Sequence, residues 1–344
     1  MQTDQPTLRF EDAHGPLWFA GEAGWGDAIR TIDPGTPRDA AAMIAAAGLD
    51  WTVEQHPLEA VVASGDGTIR LPVPRHVANV RRDSGAVIGI VGEAYAPLQN
   101  RVAFSFCDAM TATGRAHWIG AGETRGGARV HALMRLDREI RIGGAEEEEV
   151  LALLCLRNGH DGSLAVTVSV APFRLACLNG LVLPLPGAQR TWKARHTARV
   201  EAKLSDARRT LGIAWRYYDE LEELGARLLR KRIDEAEFER FLVRLVPLPE
   251  SIPGGVRPER TEGGRTRRNL ERVREAIRTA YRTTPDLAAI RGTRWGALQS
   301  VTSYVDHIQP TRRATNRTAA EVRFERATDV APLKNRALEL LIEE

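Results

Sequence analysis

Four times between residues 59 and 182, two short runs of aliphatic and β-branched residues are separated by a cluster of Gly, Asp, Asn or Ser. Residues 60–63 and 68–73 flank Ser64-Gly65-Asp66-Gly67, and residues 77–80 and 86–91 flank the break from Arg81 to Gly85. Residues 116–122 and 128–136 flank the break from Thr124 to Gly127. Residues 149–156 and 164–173 flank Asn158-Gly159-His160-Asp161-Gly162. Gly, Asn and Asp supply the positive φ that tight turns require, so each pair reads as a β-hairpin. The last strand alternates, with Leu164, Val166, Val168 and Val170 on one face and Ala165, Thr167 and Ser169 on the other. That period predicts an antiparallel strand buried on one side. A helix over residues 98–113, stopping before Gly114, crosses the series. Hairpins in place of strand–helix–strand alternation predict an α+β class with an antiparallel, hairpin-rich sheet, and they argue against a doubly wound nucleotide-binding sheet.

Helices surround this core. An Ala-rich stretch over residues 38–47 reads as a short helix with Gly48 as its stop. Val200, Leu204, Ala207, Leu211, Ala214, Tyr218, Leu221, Gly225 and Leu228 alternate in steps of four and three, the seam of a long helix over residues 197–232. That seam fits a partner helix in the same chain or a second subunit. A helix over residues 235–245 presents Phe238, Phe241, Leu242 and Leu245, which makes a helical hairpin the simpler arrangement. Residues 247–264 hold four Pro and four Gly without periodicity and read as a flexible connection. A basic helix over residues 265–282 follows, with Leu270, Val273, Ile277 and Tyr281 facing inward. Helices over residues 293–307 and 333–343 complete the chain. The expected divisions are an N-terminal segment 1–58, an antiparallel α+β core 59–196, a long helical hairpin 197–246, a flexible linker 247–264 and a basic helical C-terminal region 265–344.

Composition narrows the class. Hydrophobic residues make up 43% of the 344 and charged residues 27%, the balance of a chain with a packed core. The net charge is +3, and only four of the 48 cationic residues are Lys. Arg is the better fork for phosphate and stacks on bases, although an Arg- and Ala-rich chain also follows from GC-rich codons. Cys107, Cys155 and Cys177 have neither disulfide nor zinc spacing. With a polar N-terminus and no long apolar run, these features lead to an expectation of a cytoplasmic, non-membrane protein.

Few motifs carry chemistry. No Gly-x-x-x-x-Gly-Lys-Ser/Thr loop, no Ser elbow and no His-Glu-x-x-His pattern occurs, which weighs against an enzyme, and no cofactor is expected. The turn from Asn158 to Ser163 is the most polar break in the sheet; its residue types suit a turn and also a polar contact. Arg174 lies among apolar residues and needs a partner, either an internal carboxylate or an anionic ligand. Cys177, between Ala176 and Leu178, reads as a core thiol. Lys193 and Arg195 cluster with Arg190 and Arg199 beside Trp192, an arrangement that suits the backbone and bases of a nucleic-acid strand and equally a loop with a core Trp and solvated cations.

Several segments together resemble the phage/plasmid-like protein family that carries domain of unknown function 932. They are Ala47-Gly48-Leu49-Asp50-Trp51-Thr52-Val53, Val91-Gly92-Glu93-Ala94-Tyr95-Ala96-Pro97-Leu98-Gln99-Asn100, and the Asn158 to Ser163 turn. The series continues through the stretch from Pro172 to Leu181, Arg195-His196-Thr197, Gly292-Thr293-Arg294-Trp295-Gly296-Ala297-Leu298, and the stretch from Val301 to His307. Order and spacing agree over roughly residues 45–340. The family's early Trp-His-Gly segment is not recognisable at Pro16-Leu17-Trp18. The resemblance implies a phage or plasmid context rather than a reaction. In that context the leading expectation is a non-catalytic, oligomeric protein that binds or anneals single-stranded DNA. Its candidate contacts are Arg157, Asn158, His160, Arg174, Asn179, Lys193, Arg195 and His196. The alternatives are a mobile-element protein acting on a host enzyme, and a metal-dependent nuclease using His160, Asp161, His196 or the Asp306-His307 pair.

Overall fold

The computed structural model describes residues 30–31, 39–65, 67–105, 107–144, 148–185, 191–197, 200–248, 262–311 and 317–343. The side chains of residues 30–31, 200–213 and 262–266 are not part of that description. The turn that Pro34-Gly35-Thr36-Pro37 predicts by composition, most of the 247–264 connection, and Arg190 and Arg199 lie outside the described residues.

Every hairpin break becomes a turn between antiparallel strands. The long strands β2 (Val53–Ser64) and β3 (Gly67–Arg81) pair with each other, and β4 (Val87–Gly92) adds to β3 to give a three-stranded sheet. The larger sheet is an eight-stranded assembly. Its main path is β1 (Arg30–Thr31), β5 (Ala116–Thr124), β6 (Arg129–Arg141), β7 (Glu149–Gly159), β8 (Val166–Val170) and β11 (Thr191–Ala194). The short strand β9 (Phe173–Arg174) joins β7 and carries β10 (Asn179–Gly180). The fold is α+β, as the hairpin pattern predicts.

One sheet face is covered by helices from both ends of the chain. Val130, Ala132, Met134, Ala152, Leu154, Leu156, Val166, Val168 and Val170 share a core with α1 (Ala40–Ala47) and α4 (Val200–Arg230). Asp39 caps α1 and Gly48 closes it at φ 70°, the left-handed conformation that favours glycine. The helix expected over 98–113 is divided into α2 (Asn100–Ser105) and α3 (Asp108–Ala112). The Asp108 carboxylate at the break accepts a hydrogen bond from the Ala40 N–H and so ties the pair to α1. The described part of the α4 seam, Ala214, Tyr218, Leu221 and Leu228, is buried in the same core. At Gly225 an added Cβ would stand 2.7 Å from Ile142 Cγ2, so this part of the helix lies against the turn that follows β6. Its partner is therefore within the chain.

The opposite sheet face carries Leu133, Leu151, Leu153 and Cys155, covered by Phe173, Leu175 and Leu178 and by Phe324 and Ala327 of α8 (Ala319–Thr328). This second cover corrects one expectation. Strand β8 is buried on both faces, because Thr167 and Ser169 lie on the side where α8 docks. A half-buried pattern needs only small polar residues on one face, and those are also what a crowded helix–sheet contact accepts.

The C-terminal helices belong to the same body. Helix α5 (Glu235–Leu245) begins with an Asp234/Glu237 capping box and buries Phe238, Phe241, Leu242 and Leu245. Phe238 stacks on Tyr281 of α6 (Glu262–Thr283) at 3.9 Å between ring centroids. The cations of α6 are largely engaged there: Arg278 bonds Glu239, Arg282 bonds Glu235, and Arg274 donates to the Val246 carbonyl. Helices α7 (Arg294–Ser303) and α9 (Pro332–Glu343) bring Trp295, Leu298, Leu338 and Leu341 into the main core. No helix among the described residues is long and apolar enough to cross a membrane.

Candidate nucleic-acid interface

The eight candidate contacts fall into three places. Arg174 and Asn179 are buried under the C-terminal helices. Arg174 Nε donates to Glu148 Oε2 at 2.8 Å, its Nη2 bonds the other carboxylate oxygen and the Asp286 carbonyl, and Trp295 Nε1 donates to the same carboxylate at 2.7 Å. Arg174 therefore has the internal carboxylate, which was one of its two possible partners. Asn179 donates to the Gln299 side chain at 3.0 Å and to the Gln299 carbonyl at 3.2 Å. Both residues join the sheet to α7 and its neighbours. Cys177 is a neighbour of Arg174, at 3.2 Å, and burial pushes its thiol up, away from the reactive thiolate.

Asn158, His160 and His196 form a second group beneath the small sheet. Asn158 Nδ2 donates to the Leu98 carbonyl at 2.8 Å, and the His160 imidazole meets Asn100 Oδ1 at 2.9 Å. The His160 carbonyl accepts from Asn79 of β3 at 2.6 Å, and Tyr95 donates to the Gly159 carbonyl at 2.6 Å. Gly89 of β4 makes this approach possible: an added Cβ would lie 2.5 Å from the His160 carbonyl oxygen. His196 stacks on Tyr95 at 4.8 Å. Burial, with a smaller contribution from His196, drives the His160 pKa down to about 3, and burial drives His196 down to about 4. Both rings are neutral near pH 7 and serve as packed polar groups. Among the described residues no cluster of three or more His, Cys, Asp or Glu could hold a metal ion.

Arg157, Lys193 and Arg195 are placed differently. Register sets Lys193 of β11 opposite Thr167 of β8, Thr167 opposite Arg157 of β7, and Arg157 opposite His131 of β6. Directly paired residues project to one side, so Lys193, Arg157 and His131 form a row across four strands. Arg129 stands two positions from His131 on the same side. Lys193 and Arg195 are exposed at the sheet edge, whereas the half-buried Trp192, opposite Val168, projects to the other face and packs on the main core. The Arg157 guanidinium is held by neutral oxygens, Thr328 Oγ1 at 2.6 Å and the Thr328 carbonyl at 2.8 Å.

The row ends in a group of arginines. Arg129 bonds Glu325 at 2.9 Å and Ser163 at 3.0 Å, Arg317 bonds the same Glu325, and Arg125 lies 3.8 Å from Asp161. Burial lowers the Arg129 pKa, and the neighbouring charges of Arg125 and Arg157 lower it further. Arg317 is lowered by burial and then by Arg125 and Arg129. These mutual effects mark a region where positive charge is crowded. Arg129, His131, Arg157, Phe324, Glu325 and Asp329 line a cavity of about 70 Å³ there. Sequence reasoning missed Arg125, Arg129 and Arg317. The alternation of Arg129, His131 and Arg135 along β6 carried a signal for the first of the row, whereas Arg317 arrives from almost 190 positions away and had none.

The fold is thus a two-sheet α+β body with a cationic sheet edge. Residues 87–327 match the family described as a domain of unknown function, DUF932. The chain belongs to that family. The matched span starts at β4, so the β2–β3 hairpin and helix α9 lie outside it. No curated relative and no solved structure matches this chain.

Proposed function

We propose that the protein binds single-stranded nucleic acid, without catalysis, along the edge formed by β11 and the sheet row behind it. The observation that carries this reading is the exposure of Lys193 and Arg195 at the sheet edge, with Arg157 two strands further in on the same side and bonded only to neutral oxygens. Exposed cations along a sheet edge meet the phosphates of a single strand laid across it. Arg125 and Arg129, like Arg274, Arg278 and Arg282 of α6, are bonded within the fold and contribute less.

Fluorescence anisotropy with a labelled single strand and its matched duplex, across a salt series, tests the proposal. Steep salt dependence favouring the single strand is expected. Removing two phosphate contacts by Lys193→Ala with Arg195→Ala is expected to reduce the log–log slope by about 1.4, at roughly 0.7 per contact. Absence of binding at low salt, or an unchanged slope in the double variant, overturns the reading.

A further inference from the structure

The β2–β3 hairpin stands away from the rest of the molecule. Along Glu59–Ser64 and Gly67–Pro72 every described residue is exposed, and no third strand pairs with them among the described residues. Strand β4 reaches only as far as His76 on β3. A two-stranded ribbon with both faces in water is marginal by itself. This arm also precedes the family-matched span.

Its two faces differ. Register puts Ala60 opposite Leu71 and Val62 opposite Ile69 on one face, which carries no charge. Val62, Ile69 and Leu71 are 45%, 48% and 49% exposed, values for residue types that normally lie in a core. The other face pairs Glu59 with Pro72, Val61 with Arg70 and Ala63 with Thr68, and Arg70 neutralises Glu59 at 3.2 Å.

Its two edges differ as well. The outer edge of β3 carries Pro72 and Pro74, which withhold N–H donors and prevent another strand from pairing there. The outer edge of β2 is closed only at its base. There the Gln99 side-chain amide takes the place of a neighbouring strand, accepting from the Val53 N–H and donating to the Val53 carbonyl, both at 3.0 Å. From Leu58 to Ser64 that edge has neither proline nor cover among the described residues. An unguarded edge beside a guarded one is the arrangement of a strand that receives a partner.

We propose that this edge pairs antiparallel with the same edge of a second copy, about a twofold axis at Val61. The open stretch 58–64 is centred on Val61, so all seven of its residues pair in that register. Ala60 then faces the partner's Val62, and Glu59 faces the partner's Ala63, so no charge meets its like. Both uncharged faces come to the same side of a four-stranded sheet, because i and j of each pair have equal parity. The contact is isologous and closes at two copies.

The test uses the full chain. Sedimentation equilibrium is expected to show a dimer for the wild type. Ala60→Lys with Val62→Lys places lysines opposite lysines in this register and is expected to weaken the dimer roughly tenfold or more. Ala60→Glu with Val62→Lys places unlike charges opposite each other and restores it. In parallel, Val61→Cys sets two thiols face to face and is expected to form a covalent dimer under mild oxidation. Glu59→Cys sets them about four residue steps apart, roughly 13 Å, and forms none. A wild type that stays monomeric at high concentration overturns the proposal. So does a Lys/Lys variant that dimerises as well as wild type, a Glu/Lys variant that fails to recover, or equal crosslinking at positions 59 and 61. All four positions are exposed, so the fold does not depend on them.

Discussion

Lys334→Met is expected to destabilise the protein severely, and Asp306→Asn added to it is expected to restore most of the loss. Lys334 is 0% exposed, and its Nζ lies 2.6 Å from Asp306 Oδ1, 2.8 Å from Oδ2 and 2.8 Å from the Gly180 carbonyl. Asp306 Oδ2 also accepts from the Gly180 N–H at 2.9 Å. Methionine matches the lysine stem, so little packing is lost, but the carboxylate is left buried with one N–H donor. Breaking a buried pair in this way costs about 3–5 kcal/mol, and Asp306→Asn alone, which strands the ammonium, costs a similar amount. In the double variant no charge remains. The amide oxygen introduced by Asp306→Asn can still accept from the Gly180 N–H, and the main loss is the hydrogen bond to the Gly180 carbonyl, about 1–3 kcal/mol. The two mutations together are therefore expected to cost less than either alone, a coupling of at least about 3 kcal/mol. Against a total stability of about 5–15 kcal/mol, each single variant is near the limit of folding. Urea unfolding followed by tryptophan fluorescence, with m values compared, measures all four corners of the cycle. If the double loss equals the sum of the singles within about 0.5 kcal/mol, Lys334 and Asp306 act independently and the pairing argument fails.

Other consequences are also measurable. His160 and His196 have folded-state pKa values of about 3 and about 4, below the unfolded value near 6.5, so the unfolded chain binds more protons between those limits. Their contribution to stability is complete above about pH 6.5 and falls as the pH falls; at pH 5 the loss is about 2 kcal/mol for each. His196→Phe, which keeps a ring against Tyr95, is expected to remove about half of that acid sensitivity in pH-dependent unfolding; an unchanged profile refutes the assignment. Gly180→Ala would drive a Cβ into the Ala327 carbonyl of α8, so α8 must shift. A loss of about 3 kcal/mol or more is expected in urea unfolding, and a near-neutral result shows that α8 can move freely.

Much of the architecture is legible in the linear pattern. The hairpin breaks at Ser64 to Gly67, Arg81 to Gly85, Thr124 to Gly127 and Asn158 to Gly162 all separate strands that pair antiparallel, because turn chemistry is local. The 3–4 periodicity of α4 and the four apolar residues of α5 also mark the faces that are buried. The candidate site was less legible. Arg174 stood out as a charge among apolar residues and Asn158 as part of a polar turn, and these two and Asn179 are each bonded to a group at least 26 positions away. A polar residue in an apolar run signals that a partner exists, but the partner's identity depends on which element docks there. Lys193 lies on a four-residue edge strand and Arg195 just after it, where an uncovered edge leaves charges in water.

By itself the sequence determined many of the elements: the hairpin strands and their turns, the stop of α1 and the core-seeking sides of α4 and α5, whereas α8 and the short strands β1, β9, β10 and β11 were not among those it marked. The marked elements follow from φ/ψ preference and from periods of two and 3.6, which depend on neighbours in the chain. Tertiary structure alone decided that α8 covers the second face of the sheet, that Arg174 and Lys334 find Glu148 and Asp306, and that cations from β11, β7, β6 and Arg317 gather on one side. Register and docking bring together residues far apart in sequence, and the balance between desolvating a charge and pairing it is set only once those residues meet.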